Sequence, residues 1–233
     1  TQEQRDRWIG PTLRGEITWC QLFSEPGAGS DLASLATRAE RVDGGWRLNG
    51  QKVWTSMAAE AQWGICLART DPDAPKHEGI SCFMVDMRAE GVDIRPLREL
   101  TGHAMFNEVF LDDVFVPDDD VVGPIDGGWT VARATLGNES VSIGGGEGGL
   151  TFPGDAMIPV FDAHPERLAG GSARIGRYIA EHRAIGLLNL RSASRAVASG
   201  GPGPEGAITK LVLSEVGHEA AAIMTALNGP DAM

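Results

Sequence analysis

The sequence has no excess of basic residues, few cysteines and no long apolar run. Lys and Arg number 20 against 32 Asp and Glu, so the 233-residue chain carries a formal charge of −12 at neutral pH. A nucleic-acid surface or an anionic membrane calls for a basic patch, and this balance argues against both as partners. No apolar stretch approaches the ~20 residues that span a bilayer, and no charged-then-apolar leader opens the chain. Only three cysteines occur, Cys20, Cys66 and Cys82, each in an apolar, strand-like context. Their spacing matches neither a disulfide framework nor a metal site, so they read as buried thiols of a reducing compartment. The five histidines are equally scattered, and no metal site is expected. These absences point to a cytoplasmic chain.

What is present is ordinary globular material: 42% hydrophobic and 22% charged residues, too apolar for disorder. Residues 1–13 have helical character, and residues 228–233 closely follow an apolar helix, so the sequence reads as an excerpt of a longer protein. Residues 17–23, 45–48, 52–56, 63–68, 80–85, 92–94 and 107–116 form short β-branched and aromatic runs. Asp43-Gly44-Gly45 and Asn49-Gly50 are turn markers of the kind that join antiparallel strands. No helix-length segment separates successive strands, which disfavours a parallel α/β sheet. After Pro117 the period changes to helical. Residues 128–143, 172–199 and 205–227 are expected helices, the last with Ile208, Leu211, Ile223 and Leu227 on an apolar face. Residues 144–171, rich in Gly and Pro, are expected to form a loop or lid, and Gly200-Gly201-Pro202-Gly203-Pro204 should break the helices apart. The expected fold class is α+β: an antiparallel β-barrel or sandwich followed by an incomplete α-helical bundle. The expected domains are 1–15, the end of a helical domain; 16–120, a β domain; and 121–233, a partial helical domain.

Two segments carry chemistry. Phe23-Ser24-Glu25-Pro26-Gly27-Ala28-Gly29-Ser30-Asp31 leaves a strand through a proline-fixed turn, with glycines that allow close backbone approach. Its hydroxyls and N–H groups suit a phosphate or a heteroaromatic ring. It lacks the third glycine and following helix of a dinucleotide fingerprint. Taken alone, a polar turn is the simpler reading. Asn49-Gly50-Gln51-Lys52-Val53-Trp54-Thr55-Ser56 then places an indole face and two hydroxyls on one strand. Trp54 suits a flat ring and Ser56 a ring nitrogen, although a lone strand Trp is commonly a core residue.

In this order and spacing, with Trp19-Cys20-Gln21 before and Val114-Phe115-Val116-Pro117 after, the two segments resemble the acyl-CoA dehydrogenase family. The resemblance implies a middle β domain between helical domains, with non-covalent FAD between the β domain and the C-terminal helices. It implies cofactor contacts at Gln21, Phe23, Ser24, Gly29, Ser30, Trp54, Thr55 and Ser56, and substrate contacts at Ser30 and Asn138. It further implies an acyl-CoA substrate, an electron-transfer flavoprotein as electron acceptor, and a homo- or heterotetramer. The reaction is dehydrogenation of an acyl-CoA thioester to a trans-2-enoyl-CoA, with flavin as hydride acceptor.

Such chemistry needs a base at the α-carbon. Trp129, Ala132, Leu136 and Ile143 share one helical face, and Glu139 falls within that stripe, where burial would tune a carboxylate into a base. The resemblance supports Glu139 too, since isovaleryl-CoA and long-chain acyl-CoA dehydrogenases supply the base from this position, whereas most branches use a later Glu. Ser140 stands where the family often has Arg, and no Arg-Xaa-Xaa-Phe-Gly motif is present. These departures resemble bacterial dehydrogenases built from two unlike subunits. Two other readings stand beside the enzyme: a non-catalytic partner subunit, and a flavin monooxygenase of the same superfold.

Overall fold

The computed structural model describes residues 1–144, 152–199 and 205–232. The chain divides into two compact units, Thr1–Arg133 and Ala134–Met233, each with its own apolar core. The boundary falls inside a helix rather than in a linker.

The first unit opens with α1 (Gln2–Leu13). The Thr1 hydroxyl accepts the Gln4 N–H while the Gln4 side chain returns to the Thr1 amine, satisfying two end groups at once. Trp8 is the residue α1 buries, edge-on to Trp63 with ring centroids 4.3 Å apart.

Eight strands form one sheet: β1 (Trp19–Leu22), β2 (Arg38–Val42), β3 (Gly45–Ser56), β4 (Trp63–Arg69), β5 (Ile80–Asp86), β6 (Val92–Leu97), β7 (Phe106–Pro117) and β8 (Val121–Val122). The order is β6-β7-β3-β2-β4-β5-β8, with β1 on β4. Most pairings are antiparallel as the turn signals imply, but β1 and β2 both run parallel to β4. The β2–β3 hairpin lies between β1 and β4 in sequence, so the chain re-enters in its original direction. β1 pairs with residues 63–66 of β4, and β2 meets β4 at Arg69. The segment between β1 and β2 is therefore thrown out of the sheet where one strand stops and the other begins.

Asp43-Gly44 makes the β2–β3 turn, with Gly44 at φ +74°. Asn49-Gly50 makes no turn. Residues 45–56 are one continuous strand, and the glycine serves close approach instead: a Cβ at Gly50 would stand 2.7 Å from Thr37 Cα. Asn49 Oδ1 accepts the Asp113 N–H at 2.9 Å, bridging a shift in register against β7. The three cysteines are free and buried, and loss of hydration pushes the Cys20, Cys66 and Cys82 thiols up to about 12, 11 and 12. Almost no thiolate forms at neutral pH, so these side chains are inert packing.

The boundary helix is α2 (Gly128–Gly144), which begins in the first unit, with Ala132 buried and Trp129 packed beside Phe23 and Cys82 in one cluster. The second unit holds α3 (Gly154–Ala163), α4 (Gly171–Ser199) and α5 (Glu205–Asn228). α3 lies within residues 144–171, the stretch expected to be a loop. Its glycine and prolines sit at Pro153, Gly154 and Pro159, and burial of Met157 holds the helix despite them. Residues 200–204, the expected breaker, lie outside the described residues. On α5 the buried stripe is Thr209, Leu213, Val216, Ala220, Ile223 and Leu227, in steps of four and three. Ile208 and Leu211, expected on that face, are exposed because they lie off this stripe. Arg174 on α4 grips Glu219 on α5 through two bonds of 2.6 and 3.0 Å. Among the described residues no helix is long and apolar enough to cross a membrane, and no group of His, Cys, Asp and Glu is arranged to hold a metal.

Candidate functional site

The extruded segment after β1 is the first of the two chemistry-bearing motifs. Glu25 and Ala28 exchange both backbone hydrogen bonds at 3.0 Å, which closes a tight turn with Pro26 and Gly27 exposed at its tip. Ala28 is buried and pins the far side of that turn. Gly29 and Ser30 are exposed, and no atom lies within 4 Å of where a Gly29 Cβ would stand. Asp31 is then fixed by Lys76 and by the Ser34 hydroxyl, both at 2.6 Å. An exposed glycine–serine pair is thus held between two anchored points.

The second motif is the end of β3. Between Lys52 and Thr55 the register against β7 slips by one residue, and Trp54 occupies the left-handed region at φ 60°. A bulky residue there is strained, and such strain tends to persist where a side chain has to be aimed. The result is an indole 63% exposed, edge-on to Phe106 at 6.0 Å between centroids. Asn107 on β7, itself buried, donates from Nδ2 to the Thr55 carbonyl at 3.0 Å and steadies the bulge. The Ser56 side chain is exposed beside it.

A single backbone bond joins the motifs: Val53 N–H donates to the Ser24 carbonyl at 2.9 Å. Beneath it lies a pair that sequence reasoning passed over. Lys52 is fully buried, and its ammonium donates to Glu25 Oε1 at 2.8 Å, to the Leu67 carbonyl at 2.7 Å and to the Phe23 carbonyl at 3.2 Å. Glu25 in turn accepts the Ala36 and Thr37 N–H groups at 2.6 and 3.0 Å. Burial alone pushes the Glu25 carboxyl up, but the Lys52 charge and the N–H donors together hold it below its ordinary value. A signal for the pair existed: Trp46, Leu48 and Lys52 share the same strand parity, so the lysine had to face inward.

The expected site residues divide accordingly. Ser24, Ser30, Gly29, Trp54 and Ser56 lie in or beside these two motifs with surface available. Phe23 buries its ring in the core, and Gln21 is exposed on β1. Thr55 is buried, and its hydroxyl has no hydrogen-bond partner among the described residues. In the second unit, Asn138 donates to the Ala134 carbonyl of its own helix at 2.9 Å. Glu139 is exposed rather than buried, as are Asn138 and Leu136, so this stretch of the expected apolar stripe is not covered.

The residues present suit a flavin nucleotide: a flat aromatic face presented on a fixed bulge, adjacent hydroxyls, and an open glycine–serine stretch. Residues 20–114 match the acyl-CoA dehydrogenase middle domain, and this segment is of that family. It is 54% identical over 212 residues to acyl-CoA dehydrogenase FadE34 of Mycobacterium tuberculosis, covering 91% of this chain and 30% of that one. Among solved structures it is similar to the Tcur3481–Tcur3483 steroid ACAD, with TM-score 0.86, 30% identity, and coverage of 99% of this chain and 60% of that one. It is also similar to a chain of the ChsE4–ChsE5 complex from Mycobacterium tuberculosis, with TM-score 0.78, 27% identity, and coverage of 98% and 60%. The chain spans about a third of the length of FadE34.

Proposed function

We propose that the chain is the flavin-holding part of an FAD-dependent acyl-CoA dehydrogenase that converts an acyl-CoA thioester to its trans-2-enoyl-CoA. The observation that carries this reading is Trp54, exposed on a strained bulge beside Ser56 within a matched acyl-CoA dehydrogenase middle domain. FAD, when bound, supplies the hydride acceptor. The chain's own residues do the rest. Trp54 would offer its indole face to the ring, and Ser56 would offer a hydroxyl to it. Ser24, Ser30 and Gly29 offer hydroxyls and a close backbone to the phosphates and the thioester side, with Gln21, Phe23 and Thr55 behind them. Asn138 would contact the acyl-CoA. Glu139 would take the α-proton, and the α,β double bond forms as the β-carbon also gives up its hydrogen as hydride. Because Glu139 is exposed here, the apolar surroundings a base needs must come from the substrate or from further protein.

A steroid ACAD and the ChsE4–ChsE5 complex are both similar to this chain. This supports a bulky acyl thioester as the first substrate to try and an assembly of more than one chain; a tetramer, of like or unlike subunits, is the working assembly in this reading. An electron-transfer flavoprotein is the acceptor in this reading, and the cytoplasm, where buried thiols stay reduced, is the compartment. A second reading, a non-catalytic partner subunit, draws on the same exposure of Glu139.

Anaerobic addition of short, branched and steroid-derived acyl-CoA thioesters to the flavin-loaded full-length protein tests the proposal. Bleaching of the oxidised flavin band by at least one thioester is expected. A flavin reduced by NAD(P)H but by no thioester would favour a monooxygenase, and a purified chain that holds no flavin alone would favour the partner-subunit reading.

A further inference from the structure

The Glu25–Lys52 pair lies inside both chemistry-bearing motifs, yet neither charge is placed to touch a ligand. Its position follows from the sheet. β1 pairs with β4 through Cys66 and β2 meets β4 at Arg69, which leaves Leu67 on the stretch between the two partners. The Leu67 carbonyl is taken by Lys52, and so is the Phe23 carbonyl at the point where the chain leaves β1. The third ammonium proton holds Glu25 at the root of the turn. Through its other bonds Glu25 fixes the Ala36 and Thr37 amides, where the chain re-enters the sheet as β2. One buried ion pair therefore ties together the exit of the loop, its first turn, its return, and the strand that carries Trp54.

We propose that Glu25 and Lys52 are positioning residues that build the Ser24–Ser30 ligand-facing loop before any ligand arrives, and fix it against the Trp54 bulge. That the ligand is a flavin rests on the reading above; that the loop is prebuilt does not. A flexible loop would have to be ordered at the moment of binding, and fixing it beforehand removes that cost from the affinity. A buried pair with all three ammonium protons and both carboxylate oxygens engaged suits this task, because each bond has one geometry and water does not compete for it.

Hydrogen exchange on the full-length protein stripped of flavin gives the first test. The amides of Glu25, Ala28 and Val53 are expected to exchange roughly a hundredfold or more slowly than in an unstructured chain, and FAD should change them little. Exchange at the unstructured rate until FAD is added would overturn the proposal. The second test is the double variant Glu25→Gln/Lys52→Met, which removes both charges together and strands neither. It still loses the ammonium bonds to the Phe23 and Leu67 carbonyls, so its thermal midpoint should fall, but by less than in either single variant. FAD affinity should fall roughly tenfold or more, and the absorption bands and midpoint potential of the bound flavin should shift. A variant that folds and keeps the native affinity, spectrum and potential would refute the positioning role. If it fails to fold, the exchange experiment decides. Should no flavin bind at all, the function proposed above falls, but the exchange rates still report whether the loop is prebuilt.

Discussion

Lys52 and Glu25 show how much one inward-facing charge constrains its surroundings. Removing one partner leaves the other buried and unpaired, so Glu25→Ala or Lys52→Met alone should cost about 3–5 kcal/mol in urea unfolding. The pH dependence has a definite sign. Glu25 titrates below its ordinary value of 4.5 in the folded chain. Its contribution is therefore complete above about pH 4.5 and is lost as the pH falls through the lowered value. Unfolding free energy measured between pH 3 and 6 should decline on the acid side more steeply in the wild type than in the double variant; parallel profiles would contradict this. Trp54 poses the converse case, a residue held in a costly backbone region for the sake of its aim. Trp54→Gly should be more stable than Trp54→Ala by roughly 1 kcal/mol, since only glycine relieves the left-handed strain, while both lose flavin retention. Equal stability of the two variants would show that the bulge relaxes without strain.

At the scale of elements, β3 does the most positioning, and only part of it was legible in the sequence. Trp54 and Ser56 were legible as candidates because residue type and spacing survive without knowledge of pairing. Asn49-Gly50 misled, because its turn chemistry was overruled by pairing along β7 on both sides of it, within one strand of twelve residues. Once β3 was cut at that point, the inward parity of Lys52 was lost, and its partner Glu25 was lost with it. Parallel pairing of β1 and β2 with β4 is a property of chain path, to which local pattern is blind. α3 stayed hidden for a related reason: Pro153, Gly154 and Pro159 read as breakers, and burial of Met157 outweighs them. Two predictions follow from packing. Gly50→Ala should destabilise the first unit by about 1–3 kcal/mol, since the added methyl meets Thr37 backbone across the β2–β3 pair. On α5, Ile223→Ala should cost about 2–5 kcal/mol, whereas Leu211→Lys, off the buried stripe, should leave the thermal midpoint nearly unchanged. A large loss from the Leu211 variant would mean that its face is covered in the full-length protein.

For the molecule as a whole, the first unit carries the platform proposed for a planar cofactor, and the second carries the carboxylate proposed as base. The sheet gives the platform its loop by ending β1 and starting β2 along the same strand, and the bulge gives it an exposed indole. Glu139 is the point at which the functional account is most exposed to test. Glu139→Gln keeps volume and polarity but removes a carboxylate able to accept the α-proton. The decisive measurement is the rate of flavin reduction by a bleaching acyl-CoA in anaerobic stopped-flow, wild type against Glu139→Gln, in the full-length protein with any partner subunit present. The account predicts native flavin content and near-native acyl-CoA affinity in the variant, with reduction slowed roughly 10²–10⁴-fold. Reduction at the wild-type rate would contradict it and leave this chain holding the flavin while another carboxylate removes the proton.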